Sequence, residues 1–193
     1  MHSLFEIQHL SYAYHTMQGE TAALSDITFT VNTGDFVAIV GPSGCGKSTL
    51  LNLLAGMLTP ESGTLLLNGI PLTADSRCHI GYMLQQDYLL EWRNIWKNVL
   101  LGLEIRHEVT EESCSYAKQL LKQYGLEKFS HSKPSQLSGG MRQRAALVRT
   151  LVLKPDLLLL DEPFSALDYQ TRLSVSNDIG SIIQKEKKTA ILV

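Results

Sequence analysis

Residues 41–49 have the types and spacing of a loop that binds phosphate. In order they are Gly41, Pro42, Ser43, Gly44, Cys45, Gly46, Lys47, Ser48 and Thr49. The glycines let the backbone curl until successive N–H groups point inward at a polyphosphate, and a following helix adds the partial positive charge of its N-terminus. Lys47 would reach the β- and γ-phosphates, and the Ser48 hydroxyl would bind Mg²⁺. The sequence therefore predicts a site for a nucleoside triphosphate and Mg²⁺.

The segments on either side of this loop make the prediction specific. An apolar run at 36–40 precedes it and predicts a buried strand, while 49–57 has the period of a helix closed near Gly56. A glycine-rich turn alone is common, but strand, loop and helix in this order are the setting that a phosphate-binding loop requires. Cys45 inside the loop has two interpretations: a small residue tolerated there, or a thiol made reactive by the helix N-terminus.

A second pair of candidate residues follows a fully apolar run. Leu157–Leu160 predicts a buried strand, and Asp161 and Glu162 come directly after it. A carboxylate at the tip of such a strand is the Walker B arrangement, in which Asp161 holds Mg²⁺ through its water shell. Glu162 is then placed to act as general base on the water that attacks the γ-phosphorus. The alternative is that both carboxylates merely solvate a loop.

A third stretch, at 137–144, reads Leu-Ser-Gly-Gly-Met-Arg-Gln-Arg. It resembles the Leu-Ser-Gly-Gly-Gln signature of the ATP-binding cassette (ABC) proteins, with Met141 in the form found among importer ATPases. Ser138, Gly139 and Gly140 would expose amides at the start of a helix, which is a second anion site. The resemblance implies that these residues contact the γ-phosphate held by the other subunit of a head-to-tail homodimer.

Other positions match the same family in the expected order. Tyr14 resembles the aromatic residue that stacks on adenine, although a half-buried strand tyrosine is the alternative. Gln85 resembles the glutamine that senses Mg²⁺ and the attacking water, which makes it a candidate catalytic and metal-binding residue. Asp168, in Ser-Ala-Leu-Asp, resembles the residue that reaches across the dimer interface. The resemblance covers residues 4–193 and implies ATP and Mg²⁺ as ligands.

The segment after Gln85 indicates a branch of the family. Residues 86–95 resemble the Leu-Leu-Pro-Trp stretch of importer ATPases for nitrate, sulfonate, taurine and related solutes, with Glu91 in place of proline. In the family this region receives the membrane permease. Trp92 and Trp96 are four residues apart and are expected to share a helical face, either as a docking surface or as core packing. The implied partners are a second ABC subunit, the permease and, indirectly, a solute-binding protein, at the inner face of the cell membrane.

Family members normally continue past the strand predicted at 189–193 into Thr-His-Asp, whose histidine contacts the γ-phosphate. The sequence given ends at Val193, so we expect its C-terminal part to be missing, with nucleotide binding retained and turnover left open. Two alternatives to an importer subunit therefore remain. One is a non-catalytic nucleotide-binding fragment, and the other is a non-transport ABC ATPase that acts on nucleic acid or ribosomes.

The composition of the chain argues against the nucleic-acid alternative and against a membrane-spanning segment. The chain has 193 residues, 44% of them hydrophobic, and a net charge of −2, which provides no general attraction to nucleic acid. Its three cysteines lack paired metal spacing and suit a reducing compartment. The apolar runs fall far short of the ~20 residues of a membrane span, so we expect membrane association only through a partner.

The predicted fold is an α/β P-loop NTPase fold of the ABC ATPase type, covering residues 1–193 as one nucleotide-binding domain. Alternation at 4–10 and 26–31 predicts an N-terminal antiparallel β part, with a polar, turn-like segment at 15–21. A mostly parallel core sheet carries the phosphate loop, and a helical insertion occupies about 89–154. Further predicted elements are strands at 64–67, 80–84 and 189–193, helices at 111–124 and 168–187, and a tight turn at Asn68 and Gly69.

Overall fold

The structure is a computed structural model that describes residues 2–17, 19–73, 75–163 and 188–193. The helix expected at 168–187, and with it Asp168, lies outside the described residues. The described strands and helices are β1 (Ser3–Thr16), β2 (Gly19–Asn32), β3 (Phe36–Ala38), α1 (Lys47–Leu54), β4 (Ser62–Leu67), β5 (Ile70–Pro71), β6 (Ile80–Met83), α2 (Ile95–Val99), α3 (Leu101–Ile105), α4 (Glu111–Gln123), α5 (Gly139–Leu151), β7 (Leu157–Leu160) and β8 (Thr189–Leu192).

The chain divides into two compact units. Unit 1 comprises the described residues of Met1–Ile80, Asp156–Asp161 and Lys185–Val193, and unit 2 comprises those of Gly81–Pro155 and Glu162–Gln184. The division passes between Asp161 and Glu162, which are neighbours in the sequence. The predicted helical insertion at about 89–154 stays a prediction.

An antiparallel sheet in unit 1 has the strand order β2-β1-β4-β5. The strands β1 and β2 are longer than predicted, and their pairing continues to Thr16 opposite Gly19. The expected turn-like segment at 15–21 is therefore mostly strand, because its residues pair with one another in regular register, His15 opposite Glu20 and Tyr14 opposite Thr21. The predicted tight turn is confirmed, since Asn68 and Gly69 both have positive φ (53° and 76°) and join β4 to β5.

A second sheet places the phosphate loop. Within unit 1, β3, β8 and β7 lie side by side as parallel strands. All of Leu157–Leu160 is fully buried, as its apolar run predicts. The expectation of a buried strand at 36–40 is wrong in part, since Phe36 is 51% and Val40 89% exposed. The strand ends at Ala38, and an apolar run does not distinguish burial on one face from burial on both.

Unit 2 contains the helices α2 to α5, and a side chain caps the N-terminus of α2, α4 and α5. The Asn94 side chain accepts a hydrogen bond from the Lys97 amide, and Thr110 forms a capping box with Ser113. The predicted helix 111–124 is confirmed to within one residue, and Gly125 follows it at φ 68°. Leucines of α4 and α5 form the interior of this unit. No helix among the described residues is long and apolar enough to cross a bilayer.

Candidate functional site

The loop between β3 and α1 owes its shape to glycine. Gly44 and Gly46 have φ of 79° and 96°, a region that L side chains rarely adopt. A Cβ at Gly46 would lie 2.5 Å from the carbonyl oxygen of Ala23, so the loop packs directly on the β2 backbone. Helix α1 begins at the next residue, Lys47, and its first amides therefore open onto the loop.

The Lys47 side chain folds back over this loop. Its Nζ donates hydrogen bonds to the carbonyl oxygens of Gly41 (3.1 Å) and Pro42 (2.9 Å). The Cys45 Sγ lies 4.0 Å from the same nitrogen, and the loop from Gly41 to Cys45, including Ser43, is exposed. An ammonium group held by neutral carbonyls exchanges them favourably for phosphate oxygens, because the phosphate oxygens carry negative charge.

Two residues predicted to bind the metal are in contact within unit 1. The Ser48 Oγ donates a hydrogen bond of 3.0 Å to the Asp161 Oδ1, and Asp161 is buried at the end of β7. The contact joins positions 113 residues apart in the sequence. A hydroxyl and a carboxylate are the hard oxygen ligands that Mg²⁺ prefers, so this pair fits the expected ion.

Tyr14 lies at the first turn of α1. Its hydroxyl is 3.1 Å from the Thr49 Oγ1, and its ring meets the edge of Tyr12 with centroids 5.1 Å apart. The side chain is 41% exposed. The structure therefore places an accessible aromatic ring beside the helix that carries Lys47 and Ser48.

The two predicted catalytic residues are in contact within unit 2. The Gln85 Nε2 donates a hydrogen bond of 3.1 Å to the Glu162 Oε2. Glu162 has φ of 40°, a left-handed conformation that costs free energy in a residue with a Cβ and that is concentrated at functional sites. The amide fixes one carboxylate oxygen of Glu162 and leaves the other to accept a proton.

The signature residues form the start of α5. Ser138 is the N-cap, and its Oγ accepts a hydrogen bond from the Met141 amide at 3.4 Å. Gly139 and Gly140 are the first residues of the helix, the first half-buried and the second buried. Besides the Met141 amide, which donates to Ser138, the backbone N–H groups of this first turn have no partner within the helix and can face an anion that approaches Ser138.

The two tryptophans do not share a helical face, so that prediction is wrong. Helix α2 begins at Ile95, which leaves Trp92 in the preceding loop with 76% of its surface exposed. Trp96 lies within α2, is half-buried, and has the Lys118 Nζ 5.9 Å from its ring centroid. The sequence left two roles open for these tryptophans, a docking surface or core packing. The exposure of Trp92 agrees with a docking surface, and the partial burial of Trp96 agrees with packing.

Sequence reasoning missed a group of polar contacts that follow Gln85. Asp87 forms an ion pair with Arg142, and Arg149 donates hydrogen bonds to the backbone carbonyls of Asp87 and Tyr88. The partners are 55 to 62 residues apart in sequence, and no motif announces them. The sequence hints at these contacts in one way: Arg142 and Arg149 are seven residues apart, a spacing that places both on one face of α5.

Three comparisons place the chain among known proteins. The family model described as ABC transporter matches residues 24–165. The chain is 49% identical over 191 residues to the ABC transporter ATP-binding protein YtlC of Bacillus subtilis, covering 99% of this chain and 73% of that protein. It is 41% identical over 187 residues to the taurine import ATP-binding protein TauB of Pelagibacter ubique, covering 96% and 70%.

A solved structure extends the comparison to three dimensions. It is the dimeric post-hydrolysis state of the ATP-binding cassette MJ0796 bound to ADP and Pi, with a TM-score of 0.84 and 30% sequence identity. The match covers 98% of this chain and 87% of that one. The likeness confirms the predicted α/β fold with its mostly parallel core sheet and antiparallel β part.

Proposed function

The chain belongs to the ABC transporter family of ATPases, and from this premise we propose that it is the ATP-hydrolysing subunit of an importer for a small solute. The observation that carries the chemistry is the 3.0 Å contact of Ser48 with Asp161, which joins the phosphate loop to the carboxylate that follows the buried strand. The solute class that we propose is nitrate, sulfonate, taurine or bicarbonate. Support for it comes from the 41% identity to a taurine import protein and from the sequence of residues 86–95.

ATP binding is assigned to the loop and its neighbours in unit 1. The backbone amides from Gly41 to Thr49 and the Lys47 ammonium hold the phosphates, after Lys47 leaves the carbonyls of Gly41 and Pro42. Tyr14 stacks on the adenine ring. Ser48, Asp161 and Gln85 would hold Mg²⁺, which supplies positive charge against the phosphate oxygens when bound.

Hydrolysis is assigned to Glu162 and Gln85. The Glu162 carboxylate accepts a proton from the water that attacks the γ-phosphorus, and the hydrogen bond from Gln85 orients that carboxylate. The strained backbone at Glu162 supports the assignment, because such conformations are retained where the position of a side chain matters to function.

The remaining assignments concern assembly. Ser138, Gly139, Gly140 and Asp168 would contact the ATP bound by a second copy of the chain, in the head-to-tail homodimer that the family resemblance implies. The exposed Trp92 would contact a membrane permease, because aromatic residues are enriched at interfaces. The protein would then lie at the cytoplasmic face of the membrane, with a solute-binding protein acting through the permease and no role for nucleic acid.

An uptake experiment tests the proposed transport function. Cells lacking the protein are compared with cells that carry it or its Glu162→Gln variant, and entry of labelled taurine, an alkanesulfonate, nitrate and bicarbonate is measured. Spermidine serves as a cationic control. We expect the protein, but not the variant, to restore uptake of one of these anionic or zwitterionic solutes. Equal uptake with and without the protein for all four would refute the proposed solute class.

A further inference from the structure

One imidazole and two carboxylates lie together at an end of the antiparallel sheet of unit 1. They belong to His15, Glu20 and Glu61, and one ligand atom from each lies within 4.8 Å of the other two. The His15 Nε2 is 2.6 Å from the Glu61 Oε1. Among the residues that the structure describes, no other group of three histidine, cysteine, aspartate or glutamate side chains brings its ligand atoms so close. The three side chains are therefore near enough to bind one ion together.

The backbone brings these three side chains to one place. His15 and Glu20 stand opposite each other in the ladder of β1 and β2, and cross-strand partners have Cβ atoms about 4.5–5.5 Å apart. Glu61 comes from the chain that leads into β4, and its amide donates to the Ser11 carbonyl of β1 at 3.2 Å. Two strands and the approach to a third thus present the ligands from fixed backbone positions.

The second carboxylate distinguishes His15 from other histidines of the sheet region. His9 faces Asp26 at 2.7 Å, and His79 faces Asp156 at 2.8 Å, so in each pair one protonated imidazole suffices to balance one carboxylate. His15 instead faces two glutamates. Carboxylates so close to each other repel, and a cation between them replaces that repulsion by attraction. The extra carboxylate therefore indicates a ligand with more positive charge than a single proton.

The donor set selects the class of ion. One imidazole nitrogen and two carboxylate oxygens are ligands that Zn²⁺ accepts, and three protein ligands with a water in the fourth position are a common zinc arrangement. Mg²⁺ prefers oxygen ligands alone, so the imidazole disfavours it. The His15 and Glu61 side chains are 66% and 38% exposed, which gives an ion direct access from solvent.

We propose that His15, Glu20 and Glu61 form a site for a divalent transition-metal ion of the Zn²⁺ class. The ion takes the lone pair of the His15 Nε2 and so replaces the hydrogen bond to Glu61. Zinc bonds of about 2.0–2.2 Å require neighbouring ligand atoms to lie about 3.3–3.6 Å apart, so the Nε2 and Oε1 atoms separate by rotation of the exposed glutamate side chain. None of these residues is assigned to ATP, and the site therefore does not depend on the proposed function.

The ion would fasten the end of the β1–β2 hairpin to the start of β4. Because a ligand that binds the folded state shifts the unfolding equilibrium, Zn²⁺ is expected to raise the unfolding temperature of the chain. This gain requires all three ligands in their folded positions, since the unfolded chain does not hold His15 beside Glu61.

Titration of the metal-free protein with Zn²⁺, followed by calorimetry, tests the site. The variants are His15→Ala and Glu20→Gln, and the matched control is His9→Ala, which removes an exposed histidine of the same strand that faces one carboxylate. We expect His15→Ala to weaken one Zn²⁺-binding event by about tenfold or more, because substitution of residues that merely support a metal ligand already costs about 10–100-fold. Glu20→Gln should also weaken it, and His9→Ala should not. The cysteines are present in every variant, so any Zn²⁺ that they bind cancels in the comparison.

Thermal unfolding with and without Zn²⁺ provides the second readout. The unfolding temperature should rise with Zn²⁺ in the parent and in His9→Ala, and the rise should be lost in His15→Ala. Without the metal, the His15→Ala and His9→Ala variants should unfold close to the parent, because exposed pairs of this kind contribute little to stability. Zn²⁺ binding that is the same in the parent and His15→Ala, or that is lost equally in His9→Ala, would overturn the proposal.

Discussion

The side chains assigned to the chemistry already make polar contacts in the structure. Lys47 donates to two carbonyl oxygens, Ser48 donates to Asp161, and Glu162 accepts from Gln85. The hydrogen bond from Gln85 holds Glu162 in place before the substrate arrives, so this carboxylate needs little reorganisation during the reaction. The types and spacing of these residues made them candidates in the sequence, because phosphate loops and strand-end carboxylates have local signatures. The pairing of Asp87 with Arg142 has no such signature, since it joins residues 55 apart.

Alanine substitutions at Gly44 and Gly46 separate two costs: backbone strain alone at Gly44, and strain together with steric overlap at Gly46. Both have positive φ, but a Cβ at Gly46 would meet the Ala23 carbonyl oxygen at 2.5 Å, whereas a Cβ at Gly44 meets nothing within 4 Å. We expect Gly44→Ala to cost about 1 kcal/mol in the free energy of unfolding, and Gly46→Ala about 1–3 kcal/mol more. Denaturant unfolding measures both. Equal losses in the two variants would show that the loop does not press on β2 as the structure has it.

Elements with strong local signals were predicted well, and those that depend on distant packing were not. The buried strand Leu157–Leu160, the helix Glu111–Gln123 and the turn at Asn68 and Gly69 each carry their own pattern. The exposure of Phe36 depends instead on what covers one face of β3, which its apolar run does not encode. The loop from 87 to 94 also depends on distant partners, Arg142 and Arg149, and on the buried side chain of Asn98 in α2.

Asn98 organises that loop through one buried amide. Its Oδ1 accepts from the Leu90 amide at 2.7 Å, and its Nδ2 donates to the carbonyls of Leu90, Arg93 and Asn94 at 3.0–3.2 Å. We expect Asn98→Ala to lower the free energy of unfolding by about 3 kcal/mol, because buried backbone groups lose their partners. Asn94→Ala, which removes the cap of α2, is the control and should cost about 1 kcal/mol. A loss near 1 kcal/mol for Asn98→Ala, measured by urea unfolding, would contradict this role.

The division of the molecule into two units passes between Asp161 and Glu162. The proposed metal ligand therefore belongs to unit 1, and the proposed base to unit 2. The signature residues, also in unit 2, are assigned to the nucleotide of a second copy of the chain. Composition excluded a general affinity for nucleic acid, but the dimer follows only from the family, because nothing local in the sequence encodes a partner.

A dimeric mechanism predicts that turnover depends on protein concentration. Phosphate release per chain is expected to rise with concentration and then level off, whereas the ATP affinity of the isolated chain is expected to stay constant. Ser138→Arg should keep ATP affinity within about twofold and remove the rise, because the added side chain blocks the helix N-terminus. Ser135→Arg, at an exposed position three residues earlier, is the control. Turnover per chain that is independent of concentration would contradict the assignment of Ser138 to a partner's nucleotide.

Steady-state phosphate release from Mg·ATP by the protein and its Glu162→Gln variant is the most direct test of the proposed chemistry. Glutamine keeps the size of the side chain and removes the proton acceptor, so we expect turnover to fall by about 10²–10³-fold. ATP affinity should change little, because the phosphate loop is intact. Glu112→Gln, which alters an exposed carboxylate in the same unit, should hydrolyse ATP like the parent. Turnover in Glu162→Gln within twofold of the parent would contradict the assignment of Glu162 as the general base.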